Sequence, residues 1–141
     1  MKKKTKILVV FSRYNAPLSL VKSAWQELDK NKVLYDTLGC EGAFEIPVTI
    51  ARYIKRYDAF IAIGIIIKGE TPNFNLISQA ITNGIMNLSI LHKKPIGNAI
   101  LTCLTSDQVK KRVHKGREAV EAVLDVLDPN DNYGGIDFGK P

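Results

Sequence analysis

The sequence predicts an α/β domain: a doubly wound parallel sheet of four strands with helices on both faces. Three observations point there. Strand-length apolar runs alternate four times with segments of helical period, the pattern of strand–helix–strand units. Eight of the nine residues Ala59 to Ile67 are apolar, as suits a central parallel strand covered on both faces. That run passes directly into the polar turn Lys68-Gly69-Glu70-Thr71-Pro72 and then into a long helical pattern. A glycine, free N–H groups, a hydroxyl and a lysine at a helix start suit a small anion.

The elements follow in order. Lys6–Phe11 is a short apolar strand. Asn15 can cap the next helix, with Pro17 in its first turn and Val21, Ala24, Trp25 and Leu28 as its buried stripe. Val33–Leu38 is a second strand, and Pro47, Ile46, Ile50 and Ile54 mark a second helix. After Ala59–Ile67 comes a third helix whose stripe is Ile77, Ala80, Ile81, Gly84, Ile85 and Leu88. Pro95–Thr102 is the fourth strand. Thr105 with Gln108 resembles a capping box, and Val109, Val113, Val120, Val123, Leu124 and Leu127 continue as a last long helix. Gly116 within it signals a kink or a break. The 141 residues read as one domain, 1–141, with a basic arm at 1–5 and a loosely ordered tail at 129–141.

Bulk properties exclude several classes. No apolar run approaches the roughly 20 residues that cross a bilayer, and the five-residue run Ile7–Phe11 is too short for a signal peptide. The chain is therefore expected in the cytoplasm, away from membranes. The net charge is +6, but Lys2, Lys3, Lys4 and Lys6 account for four of those charges. No nucleic-acid motif accompanies them, so no nucleic-acid partner is expected. Cys40 and Cys103 form no CxxC and are read as reduced thiols. His92 and His114 have no metal-ligand spacing, and the GxGxxG and GxxxxGK[ST] signatures are lacking. No metal or cofactor is expected.

In doubly wound sheets ligands bind at the carboxyl ends of the strands. Four loops come into view: 12–16, 39–45, 68–75 and 103–106. Tyr14 is either a ring for stacking or a half-buried aromatic at a helix start. Gly42 permits close backbone approach, Phe44 offers a ring face, and Glu45 is either a ligand acceptor or a dipole-favouring helix start. Arg112, Lys115 and Arg117 form a solvated basic face, or Arg112 completes an anion clamp with the turn at Gly69-Glu70-Thr71.

Taken together, Ser12-Arg13-Tyr14-Asn15, Gly42-Ala43-Phe44-Glu45-Ile46-Pro47, Gly64 with Lys68-Gly69-Glu70-Thr71, and Lys115-Gly116-Arg117-Glu118-Ala119 resemble lumazine synthase. The resemblance runs in order over residues 6–127. It implies a flavodoxin-like sheet and assembly into pentamers or multiples of pentamers, with an active site shared between subunits. It also brings riboflavin synthase into view as a partner. It implies condensation of 5-amino-6-(D-ribitylamino)uracil with 3,4-dihydroxy-2-butanone 4-phosphate, the penultimate step of riboflavin biosynthesis. Carried over by position, Tyr14 is a stacking aromatic, and Ala43, Phe44 and Glu45 hold the pyrimidine and ribityl chain. Ile65, Ile66 and Ile67 line the ring pocket. Gly69, Glu70 and Thr71, with Arg112 of a neighbouring subunit, bind the phosphate. Asn98 matches a substrate-contacting position, and Lys115 with Glu118 matches a lysine–acid pair.

The pattern departs from the family at one point. Thr71-Pro72-Asn73-Phe74-Asn75 puts Asn73 where the family has its proton-transfer histidine, and asparagine does not titrate near neutral pH. Two functions follow from this: a slow lumazine synthase, or a non-catalytic paralogue that binds a ligand or forms a shell. His114, beside Lys115, is read as an exposed helix residue; the alternative is that it takes over proton transfer.

Overall fold

In a computed structural model, described here for residues 4–69 and 73–129, the chain winds into a four-stranded parallel sheet. The strands are β1 (Lys6–Ser12), β2 (Leu34–Cys40), β3 (Ala59–Ile67) and β4 (Ile96–Cys103), in spatial order β2-β1-β3-β4. The helices are α1 (Leu18–Lys30), α2 (Ile46–Tyr53, entered through a 3-10 turn at Ala43–Glu45), α3 (Phe74–His92), α4 (Ser106–Lys110) and α5 (Lys115–Leu127). Strand order reverses between β1 and β3, whose register sets Ile7 beside Ala59 and Phe11 beside Ile63.

Side chains alternate across the strands, and so the core has two halves. Ile7, Val9, Ile61, Ile63, Ile65 and Ile67 pack under α1 and α5 with Leu20, Val21, Ala24, Val120 and Val123. Leu8, Val10, Phe60, Ala62 and Ile66 pack under α2 and α3 with Ile46, Ile50, Ile81 and Ile85. All nine residues of β3 are buried, which accounts for its unbroken apolar run. On β4 burial alternates instead. Gly97, Ala99, Leu101 and Cys103 are buried, whereas Asn98 and Thr102 are exposed. This strand lies at the sheet edge with one face covered.

Several local expectations are corrected. Asn15 does not cap α1: it has φ 70°, and the N-cap position belongs to the extended Pro17 with no side-chain cap. β2 starts at Leu34 rather than Val33 and runs on to Cys40. The Thr105 side chain makes no cap bond; Gln108 Oε1 instead accepts the Leu104 N–H at 2.7 Å. The last long helix is two, α4 and α5, separated by a turn over 111–114. Gly116 lies just after the break, where α5 meets α1. A Cβ there would run into the Leu20 carbonyl oxygen and Ser23 Oγ, with the Ala24 nitrogen at 3.1 Å. Ser23 Oγ sits 2.7 Å from the Val113 carbonyl and accepts the Arg117 N–H at 3.1 Å, which joins the turn and α5 to α1. The arm at 1–3 and the tail at 130–141 lie outside the described residues. No helix among the described residues is long and apolar enough to cross a membrane.

Candidate functional site

The residues singled out from the sequence fall in two places in one chain. The first is the mouth at the carboxyl ends of β1, β2 and β3. Main-chain bonds join the loops there: Arg13 N–H donates to the Cys40 carbonyl at 2.8 Å and Tyr14 N–H to that of Glu41 at 3.1 Å. Arg13 Nη1 adds a bond to the Gly39 carbonyl at 2.7 Å. A Cβ on Gly64 would lie 3.1 Å from both Ser12 Oγ and Ile46 Cδ1 and 3.3 Å from Ala43 Cβ, so only glycine lets β3 meet these two loops so closely. Gly42 N–H donates to Glu45 Oε1 at 2.9 Å, which commits that carboxylate oxygen to shaping the turn.

On this frame Tyr14 and Phe44 are 65% and 62% exposed, an unusual state for large rings unless something covers them. Burial first, then the Glu45 charge, pushes the Cys40 thiol up, so it stays protonated and acts as a small apolar filler. Ile65, Ile66 and Ile67 are buried, with side chains divided between the two halves of the core. Beyond them Lys68 N–H donates to the Cys103 carbonyl at 2.9 Å, and Gly69 has φ +94°, a conformation that calls for glycine. Glu70 and Thr71 lie outside the described residues. Asn73 is exposed at the start of α3 with φ 58° and ψ 43°. That left-handed geometry suits asparagine, aspartate or histidine better than other side chains.

The second place is a groove of about 360 Å³ between the free edge of β4 and α5, lined by Ile96, Asn98, Lys115, Glu118, Ala119 and Val126 among others. Asn98 pairs with Ala62, whereas the end of β3, Ile67, pairs with Cys103. Five residues at about 3.3 Å each put Asn98 roughly 16 Å below the strand ends. Asn98 Oδ1 accepts the Ile100 N–H at 2.9 Å. Lys115 Nζ lies 3.1 Å from Glu118 Oε1, and His114 Nε2 lies 3.4 Å from Glu118 Oε2. The bond from Lys115 comes first among the causes that hold the Glu118 carboxyl below its ordinary range. Arg112, half-buried in the preceding turn, has its carbonyl bonded by Lys115 N–H at 3.0 Å. The groove thus carries a fixed cation, a carboxylate and an amide beside an apolar wall. No group of three or more metal-ligating side chains occurs among the described residues.

Residues 4–130 match the model of the 6,7-dimethyl-8-ribityllumazine synthase family. The chain belongs to that family. It is similar to the 6,7-dimethyl-8-ribityllumazine synthase of Bartonella tribocorum, at 33% identity over 95% of each chain. It resembles that of Agrobacterium fabrum at 32% identity over 94% of this chain and 99% of the relative. The 6,7-dimethyl-8-ribityllumazine synthase 1 of Rhodopseudomonas palustris is 34% identical over 86% of this chain and 83% of its own. The sequence-based expectations of an α/β fold with a four-stranded parallel sheet and of this family are borne out.

Sequence reasoning missed Ser23 and the contact roles of Gly64 and Gly116, which carry the geometry of this lumazine synthase family member. Their signal was available only as small residues within apolar or helical runs. What each touches depends on elements distant in sequence.

Proposed function

We propose that the chain is a lumazine synthase acting in riboflavin biosynthesis. It condenses 5-amino-6-(D-ribitylamino)uracil with 3,4-dihydroxy-2-butanone 4-phosphate and releases 6,7-dimethyl-8-ribityllumazine, phosphate and water. The observation that carries this reading, beside family membership, is the division of the site. A mouth with two exposed rings and an edge groove carrying the Lys115–Glu118 pair lie apart in one chain. Both come into one cavity if the groove of one protomer closes over the mouth of the next.

In this reading Tyr14 and Phe44 stack on the pyrimidine, with Ala43, Glu45 and the strand end at Ile65, Ile66 and Ile67 completing its pocket. Gly69, Glu70 and Thr71 of one protomer hold the phosphate with Arg112 of its neighbour. Asn98, Lys115 and Glu118 come from that same neighbour. The assembly is a pentamer or a multiple of it, and no cofactor takes part. Support comes from α3, which buries only Ile81 and Ile85 of its nineteen residues and leaves Leu76, Met86, Ile90 and Leu91 exposed. Riboflavin synthase, which consumes the product, is the protein partner in this scheme.

Asn73 sets the expected rate. Holding two reactants in place is worth up to about 7–11 kcal/mol, and a positioned acid/base adds about 10²–10⁴-fold. With asparagine at that position the enzyme keeps the larger contribution. A second reading, a non-catalytic ligand-binding or shell-forming paralogue, is favoured by the same Asn73. The test is to mix both substrates with purified protein and follow lumazine absorbance. Formation above the buffer rate supports the enzyme; a rate equal to buffer refutes it and leaves the paralogue.

A further inference from the structure

Beside the groove of the proposed synthase stands a titratable group to which the family resemblance gives no role. His114 is the N-cap residue of α5, half-exposed, with Nε2 3.4 Å from Glu118 Oε2. The other oxygen of the same carboxylate is held by Lys115 Nζ at 3.1 Å. Lys115 and Glu118 line the groove, so the imidazole stands at its rim. His114 Nδ1 has no hydrogen-bond partner among the described residues. Glu118 thus stands within ion-pairing reach of Nε2, and the lone pair of Nδ1 is left for a proton.

We propose that His114, paired with Glu118, is the proton-transfer group of this chain, in the place that Asn73 leaves unfilled. The inference rests on the lumazine synthase reading. Amine addition to the ketone carbonyl joins nitrogen to carbon and leaves a proton on nitrogen. The addition also leaves an alkoxide on carbon: Nδ1 carries the first proton from nitrogen to that oxygen, giving the carbinolamine hydroxyl, and then the second proton from nitrogen to the hydroxyl, which departs as water as the imine forms. The imidazole ends as it began, and no oxidant or further reactant is consumed. Asparagine at 73 cannot do this, and imidazole is the side chain that ordinarily titrates between pH 5 and 8.

The charged groups around the dyad do not compete for Nδ1. Those that act on Glu118 are Lys115, His114 and Arg117, and Arg117 Nε is paired with Glu121 Oε2 at 3.8 Å. From the packed elements, β4 presents the neutral Asn98 and α1 presents the hydroxyl of Ser23. Arg112, in the turn before His114, is a cation and cannot accept a proton.

The experiment compares wild type, His114→Gln, His114→Ala and Glu118→Gln in the lumazine assay from pH 5 to 9, with circular dichroism and sedimentation to verify fold and assembly. The pH profile of His114→Gln should differ in shape from that of wild type, with the rate lowered about 100-fold. Added imidazole should restore part of the rate to His114→Ala, an effect that a structural role would not produce. Asn73→His should rescue His114→Gln. A His114→Gln enzyme with the wild-type rate and profile overturns the inference while leaving the synthase reading intact. Wild type that forms no lumazine at any pH overturns both. If His114→Gln fails to assemble, imidazole rescue of His114→Ala decides: no rescue overturns the inference.

Discussion

Replacing Gly116 with alanine tests the contact that positions α5, and with it Lys115 and Glu118. An alanine in a helix is ordinarily better than glycine by up to about 1 kcal/mol, so propensity alone predicts stabilisation. The contacts predict the reverse. The added Cβ would meet the Leu20 carbonyl oxygen and Ser23 Oγ, and the first of these is backbone that cannot rotate away. Overpacking of this kind costs about 1–3 kcal/mol. Moving α5 away from α1 also stretches the Ser23 bonds to the Val113 carbonyl and from the Arg117 N–H. Each is worth about 1 kcal/mol. The net is a loss of about 2–4 kcal/mol once the propensity gain is subtracted. For a chain of 141 residues that lowers Tm by about 7–14 °C. Thermal and urea unfolding at matched protein concentration measure it, since any assembly makes Tm concentration-dependent. Gly84→Ala is the control: its Cβ would meet only Pro47 Cβ at 3.3 Å and Cγ at 3.5 Å, so it should change stability by less than about 1 kcal/mol. A Gly116→Ala protein that melts at or above wild type refutes the close-packing argument.

Further predictions concern the mouth, the proposed catalytic position and the base of the sheet. Gly64→Ala should cost about 1–3 kcal/mol and raise KM more than it lowers kcat, because it pushes on Ser12, Ala43 and Ile46 beneath both substrate loops; an unchanged KM counts against the proposed pocket. Asn73→His should fold as wild type, since histidine tolerates the φ 58° backbone, and in the His114→Gln background should raise kcat toward the roughly 10²–10⁴-fold of a placed acid/base; an equal or lower rate there refutes the role given to that position. Tyr57 donates its hydroxyl to Asp36 Oδ2 at 2.7 Å, and this bond leads the causes that push the phenol up to about 12. A folded pKa above the unfolded value of about 10 means stability fully present below pH 10 and lost as pH rises toward 12. Tyr57→Phe should therefore be less stable at pH 7 and show a flatter stability profile from pH 10 to 12 than wild type; equal slopes in denaturant titrations over that window refute the coupling. The same bond leads the causes that lower the Asp36 pKa, so below pH 4 the variant and wild type should converge.

Family membership and most of the architecture could be read from local patterns. The unbroken run of β3, the period-two strands and the period-3.6 stripes of α1, α2 and α3 depend on a few neighbours along the chain, and the two-sided core follows from them. The loops at the mouth were legible because strand–helix junctions must come at the carboxyl ends of parallel strands.

What the pattern could not decide depends on contacts distant in sequence. The valines at 109, 113, 120 and 123 keep a helical period straight through the break between α4 and α5. Only the approach of Gly116 to Leu20 and the three-way junction at Ser23 separate the two helices. Asn98, Lys115 and Glu118 were grouped by family position, but strand order and register put them on an edge groove, well below the strand ends. A periodic sequence says which face of an element is apolar; which other element meets that face, and how closely, is settled by closing loops of tens of residues against one another. That is why the helix stripes could be written down from the chain alone, and why the division of the site between a mouth and a groove emerged only from the folded molecule.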